Sequence, residues 1–156
     1  MSYSSKYMRK AILLSERNVD KGGGPFGAVI VKENKIIATG VNSVTAKNDP
    51  TAHAEIVAIR KAAKKLHTFN LSGCEIYTSC EPCPMCLAAI YWAHIDTIYF
   101  GNTKENAKEI GFDDSLIYEE LKLSLPERKI KTQQYLSDKA LGAFIKWNAK
   151  VDKIVY

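Results

Sequence analysis

Glu75-Ile76-Tyr77-Thr78-Ser79-Cys80-Glu81-Pro82-Cys83-Pro84-Met85-Cys86-Leu87-Ala88-Ala89-Ile90 runs from a β-prone stretch into a proline-led apolar segment. Glu75 to Ser79 reads as a short strand, and Pro82 opens a helix through Cys86 and Ile90. Thr97 to Phe100 reads as the next strand, so strand, helix and strand follow one another. That order implies parallel neighbours joined by a helical crossover. Upstream, Ala28 to Lys32 and Lys35 to Val41 are rich in β-branched residues, and Glu33-Asn34 between them suits a tight turn. They predict an antiparallel hairpin. The sheet is therefore expected to be mixed, with the hairpin at one side and parallel strands beyond it.

The flanking segments supply the helices. From about Tyr3 to Val19, Tyr7, Met8, Ile12, Leu13 and Leu14 recur at helical spacing until Gly22-Gly23-Gly24-Pro25 stops the pattern. Asp49 reads as an N-cap before Pro50, opening a helix through Ile56, Ile59 and Ala63 to Leu66. A short helix near Lys104 to Glu109, a strand at Lys131 to Leu136 and a helix from about Lys139 to Ala149 complete the pattern. With no repeat, linker or low-complexity tract, residues 1–156 are expected to form a single domain.

A chain of 156 residues buries roughly 70% of its extended surface on folding, enough for one core. Hydrophobic residues are 46% and charged residues 25%, values that exclude disordered and fibrous classes. The longest apolar stretch, Met85 to Ala93, has 9 residues, against about 20 for a membrane span. The polar start Met1-Ser2-Tyr3-Ser4-Ser5-Lys6 lacks a secretory apolar region, so no membrane association and a cytoplasmic location are expected. Net charge is +5, yet only Arg9, Arg17, Arg60 and Arg128 among the 22 basic residues are arginine. Scattered lysine mixed with glutamate suits a solvated surface better than a phosphate reader, so no nucleic-acid partner is expected.

Cysteine placement carries the chemistry. Cys80, Cys83 and Cys86 fall within seven residues, too local to staple the fold, and their clustering suggests a metal. Cys83 and Cys86 are three apart and share one face of a helical turn. His53, in His53-Ala54-Glu55, sits at the start of another expected helix and completes a set of two thiolates and one imidazole. Such donors suit zinc, and three protein ligands leave a fourth position for water, the mark of a catalytic site. Facing helix N-termini would favour both the thiolates and an anionic reactant. Glu55 is two residues beyond His53, about 200° around a regular helix, and is placed to move protons rather than bind the ion. The alternative is that Glu55 complements the helix dipole while the cysteines are small buried residues. Cys80 could make a four-ligand structural site, although the turn before the helix is its more natural place. Cys74 reads as a small buried residue, and His67 and His94 as helix-end residues.

His-Ala-Glu together with Pro-Cys-x-x-Cys resembles the zinc nucleobase deaminases of the cytidine deaminase superfamily. Within it, the bacterial guanine deaminases are similar at Gly23-Gly24-Pro25-Phe26-Gly27-Ala28-Val29-Ile30-Val31, Asn48-Asp49-Pro50-Thr51-Ala52-His53-Ala54-Glu55, Tyr77 to Cys86 and Gly111-Phe112-Asp113-Asp114-Ser115-Leu116-Ile117-Tyr118. The first three blocks also resemble the tRNA adenosine deaminases; the fourth discriminates. The resemblance implies a three-layer α/β/α fold with a five-stranded mixed sheet. It implies one zinc per chain on His53, Cys83 and Cys86, with Glu55 as proton shuttle and Asp114 near a departing amino group. It nominates Asn42 as a hydrogen-bond partner of a purine base, Phe26 as a stacking wall and Tyr156 as a pocket lid. Read without it, Phe26 could fill core, Asn42 end its strand, Asp113-Asp114 form a solvated turn and Tyr156 fray.

The activity implied is deamination of guanine to xanthine and ammonia. The competing readings are a tRNA adenosine deaminase and a non-catalytic zinc domain; scarce arginine opposes the first and Glu55 beside an open metal position opposes the second. Leu141, Phe144, Ile145 and Trp147 give the last helix more apolar surface than a free end should expose. Together with the resemblance, this implies a homodimer that exchanges segments from about residue 139 to 156.

Overall fold

In the computed structural model, which describes residues 3–156, Glu33 and Asn34 both take positive φ, 49° and 58°. That backbone hand matches the twist of a hairpin and folds β1 (Gly27–Lys32) against β2 (Lys35–Val41). The Tyr7 hydroxyl donates to the Asn34 carbonyl at 2.5 Å and ties the turn to α1 (Ser5–Val19). With β3 (Cys74–Cys80) and β4 (Thr97–Asn102), the sheet order is β2-β1-β3-β4. β1 is antiparallel to both neighbours and β3 pairs with β4 in parallel.

Alternation along the central strands makes two cores. Ala28 and Ile30 of β1, with Cys74 and Ile76 of β3, pack with Ala54, Ala58 and Ala62 of α3 (Ala54–Leu66) and Ile90 of α4 (Pro84–Trp92). Val29, Val31 and Tyr77 face the other way, onto Tyr7, Met8 and Ala11 of α1. Helices thus cover both faces of a mixed sheet, a three-layer α/β/α arrangement with β3 buried along its whole length.

The fifth strand expected at Lys131 to Leu136 does not form; the sheet of the described residues has four strands. Those residues are all exposed, and Tyr135 and Leu136 are adjacent instead of alternating, so the segment has no apolar face to lay on a core. Leu136 takes φ 51° and leads into α7 (Ser137–Ala149). The long helix begins at Ala54, not Pro50. The Asp49 carboxylate accepts from the Thr51 N–H at 2.8 Å and its hydroxyl at 2.7 Å, closing a local turn where a helix was expected. A short α2 (Val44–Lys47) precedes that turn. α4 likewise begins at Pro84, which takes the first-turn position expected of Pro82. α5 (Lys104–Glu109) falls where the pattern placed it.

The chain divides into one compact unit ending at Asp114 and another from Ser115 to Tyr156. The second unit contains α6 (Ser115–Lys122), a 3₁₀ turn at Leu125–Glu127 and α7. Ser124 and Glu127 form a capping box there, and the Glu120 carboxylate accepts from the Lys129 N–H at 2.8 Å. None of its helices buries a residue. Among the described residues no helix is long and apolar enough to cross a membrane.

Candidate active site

The two later helix starts change what His53 and Cys83 are. His53 is the N-cap of α3 and Cys83 the N-cap of α4, both in extended backbone and neither using its side chain to cap. Each side chain is therefore left for another partner, at the positive end of a helix. Cys86 lies one turn into α4 and is fully buried. His53 Nδ1 lies 3.6 Å from Cys83 Sγ and 3.5 Å from Cys86 Sγ. Tetrahedral zinc, with bonds of about 2.3 Å to sulfur and about 2.0 Å to nitrogen, sets sulfur and nitrogen about 3.5 Å apart. All three donor atoms lie within 4.8 Å of one another, so donor types and spacing fit zinc, with Nδ1 as the imidazole donor.

Electrostatics support the same reading. A hydrogen bond from the Cys86 thiol, with His53 beside it, holds Cys83 down to about 4. The bond to that thiolate and burial push Cys86 up. The hydrogen bond to Cys83 raises His53, against the opposing effect of burial. A dication held by the trio would favour the thiolate form of both sulfurs.

Cys80 ends β3 outside this trio, its thiol directed to the Thr103 carbonyl at 3.5 Å. Burial, then the Glu55 charge, push it up to about 11. Glu55 is buried in the first turn of α3. Burial raises its carboxyl above the usual range, and the Cys83 charge adds to this, while a backbone N–H, the Cys86 thiol and His53 pull the other way. A buried carboxylate whose hold on a proton is strengthened by burial, and which is flanked by the trio, can accept and return protons.

Phe26 and Asn42 lie at one end of the hairpin, beside the start of β1 and the end of β2. Phe26 precedes β1, packs against the core shared with α3 and α4, and meets Phe112 edge-on at 4.9 Å between ring centres. Phe112 had no role in the sequence reading; its only signal was the block around Gly111. The Phe26 carbonyl accepts from the Asn42 N–H at 3.1 Å, and the Ser43 N–H donates to Ala52 O at 2.9 Å, joining the end of β2 to the turn before His53. The Asn42 side-chain oxygen accepts from the Val44 N–H at 3.3 Å, leaving its amide hydrogens for other acceptors. Asp114 is partly buried, and burial followed by the Cys83 charge raises its carboxyl. Its neighbour Asp113 pairs with Lys108 at 3.1 Å. Tyr156 belongs to the second unit and is largely exposed.

Residues 1–102 match the model of the cytidine and deoxycytidylate deaminase zinc-binding region, and the chain belongs to this family of zinc-dependent deaminases. Its metal is zinc. The guanine deaminase of Bacillus subtilis is 48% identical over 151 residues, 96% of this chain and 97% of that protein. An X-ray structure of guanine deaminase from that organism has a TM-score of 0.95 at 47% identity and covers 99% of both chains. A guanine deaminase structure from Nitrosomonas europaea has a TM-score of 0.68 at 33% identity, covering 73% of this chain and 66% of that one. The tRNA-specific adenosine deaminase of Aquifex aeolicus is 44% identical over 94 residues, 60% of this chain and 62% of its own length.

Proposed function

We propose that this chain hydrolyses guanine to xanthine and ammonia. The observation that carries the reading is similarity to a guanine deaminase along nearly the whole chain, past residue 102 where the family model ends. Similarity to the Aquifex tRNA enzyme spans 60% of the chain.

His53, Cys83 and Cys86 hold the metal. Zinc held by those residues would act as a Lewis acid and make a water molecule more acidic. The Glu55 carboxylate takes a proton from that water as its oxygen adds to C2 of guanine, and delivers the proton to the adjacent ring nitrogen. The bond from C2 to the exocyclic nitrogen then breaks once the remaining proton of the added hydroxyl, carried by Glu55, reaches the amino group; that oxygen becomes the C2 carbonyl and ammonia leaves. Asp114 binds the amino group as it departs. Phe26 lies against the purine face, held edge-on by Phe112. The Asn42 amide donates to the base, in keeping with the prior use of its oxygen by Val44.

The partner is thus a small purine base. The protein acts in the cytoplasm, where its four unpaired cysteines remain reduced. Its working form is a homodimer. α7 exposes Phe144 at 74% and Ile145 at 68%, more apolar surface than an isolated helix carries in water. The segment from about residue 139 to 156 crosses to the second subunit and brings Tyr156 over the pocket. Sedimentation at micromolar concentration reads the dimer, and removal of Tyr156 alone should weaken guanine binding without releasing zinc.

The decisive assay is ammonia release from free bases, nucleosides and tRNA. Guanine should be consumed with stoichiometric xanthine. Editing of tRNA adenosine without guanine turnover would overturn the proposal.

A further inference from the structure

We infer that Asn18 positions the base-binding end of the sheet, a role that rests on the guanine reading above. Asn18 stands in the last turn of α1, on the buried stripe formed with Met8, Ala11 and Ser15. At three- and four-residue spacing this is a core face, and a polar residue there is the sequence signal that composition and motif reading pass over. Leucine at this position would bury apolar area; an amide must find partners for its hydrogens or lose stability.

It finds two. Asn18 Nδ2 donates to the Gly24 carbonyl at 2.8 Å and to the Asn42 carbonyl at 2.9 Å, the second bond fully buried. The Asn18 carbonyl accepts from the Gly23 N–H at 2.8 Å. One residue of α1 thereby joins the glycine loop to the end of β2, from the sheet face opposite α3 and α4. Both joined segments lead to groups assigned to the base. Asn42 carries its own amide, and its N–H bonds the Phe26 carbonyl.

The loop is shaped to admit this contact. A β-carbon at Gly23 would lie 2.4 Å from Asn18 Nδ2, and one at Gly24 would lie 3.1 Å from Asn42 Cγ. Gly23 lets the Asn18 amide reach both carbonyls, and Gly24 lets the Asn42 amide lie against the loop. Asn18 touches neither the metal donors nor Glu55, which stand on α3 and α4. Its loss should therefore loosen base binding while leaving the reacting centre in place.

The test compares wild type with Asn18→Ala, which removes both bonds, and Gly23→Ala, which displaces the same amide from the other side. Zinc content, melting temperature and steady-state kinetics on guanine are measured for each. Losing both hydrogen bonds, one of them buried, that orient Asn42 and Phe26 should raise KM roughly tenfold, with kcat within about threefold of wild type and one zinc per chain retained. If Asn18→Ala fails to fold, Gly23→Ala gives the same readout. An unchanged KM in a folded, zinc-loaded variant overturns the inference, as does a fall in kcat that tracks zinc loss. A wild-type protein that does not deaminate guanine overturns the functional reading instead, so the two failures are distinct.

Discussion

Gly40 of β2 lies directly against Ala54 in the first turn of α3: a β-carbon at residue 40 would sit 2.0 Å from the Ala54 carbonyl oxygen and 2.7 Å from the Ala58 nitrogen. Both obstacles are backbone, so nothing flexible can move aside. The absence of one methyl group thus sets how closely α3 approaches the sheet. His53 caps that helix and Glu55 follows Ala54, so the same contact sets the height of both groups over the strand ends.

Gly40→Ala should lift the start of α3 and separate His53 from the two sulfurs. Overpacking against backbone costs about 3 kcal/mol, or roughly 10 °C of melting temperature in a protein of this size. Calorimetry together with zinc analysis checks both effects. A variant that melts like wild type and keeps its zinc would show that α3 is seated by other contacts.

The cysteines should separate by metal content. Cys83→Ala should lose zinc and activity, whereas Cys80→Ala, whose side chain faces Thr103, should keep about one zinc per chain. Chelation should abolish turnover and added zinc restore it. Zinc loss on removing Cys80 would give that residue a place in the donor set.

Glu55→Gln should retain fold and zinc yet lower kcat by about 10³, because an amide of the same shape cannot carry a proton between water and base. Metal analysis of the same sample separates a lost proton shuttle from a lost metal. Activity within tenfold of wild type would remove Glu55 from the mechanism.

On the α1 face, the Tyr77 hydroxyl donates to the Glu75 carboxylate at 3.0 Å. Burial and that bond push Tyr77 from 10 up to about 12. The folded state keeps a proton that the unfolded state loses, so this group's stabilisation is complete below pH 10 and disappears as pH rises toward about 12. Urea unfolding across this window should show stability falling with pH, and Tyr77→Phe should flatten the slope. At neutral pH the same substitution should cost about 1 kcal/mol, since Glu75 loses its donor. An unaltered slope would assign the alkaline loss to other groups.

The candidate metal cluster was legible in sequence because it is written at short range. Cys83 and Cys86 share a helical turn by spacing alone, His53 and Glu55 come as a pair, and donor type selects the metal. The Glu33-Asn34 hairpin and the β3-α4-β4 order were legible for the same reason: period and turn chemistry act over a few residues. What failed depended on competition between local and distant partners. Asp49 capped a turn instead of a helix, which moved the start of α3 to Ala54 and made His53 its N-cap. Lys131 to Leu136 had no alternating face and stayed out of the sheet, leaving four strands where five were expected.

Sequence by itself determined the grouping of His53, Cys83 and Cys86, the carboxylate of Glu55 beside them, the hairpin and the parallel crossover, since each follows from residue type and spacing within one turn or strand. Tertiary structure alone decided that Nδ1 of His53 faces the sulfurs, that Cys80 turns to Thr103, that Gly40 seats α3 and that Asn18 ties α1 to the end of β2. These are relations between residues up to 33 positions apart, as between His53 and Cys86. Their distances are set by how closely helices and strands pack, and that closeness is decided by the whole core at once.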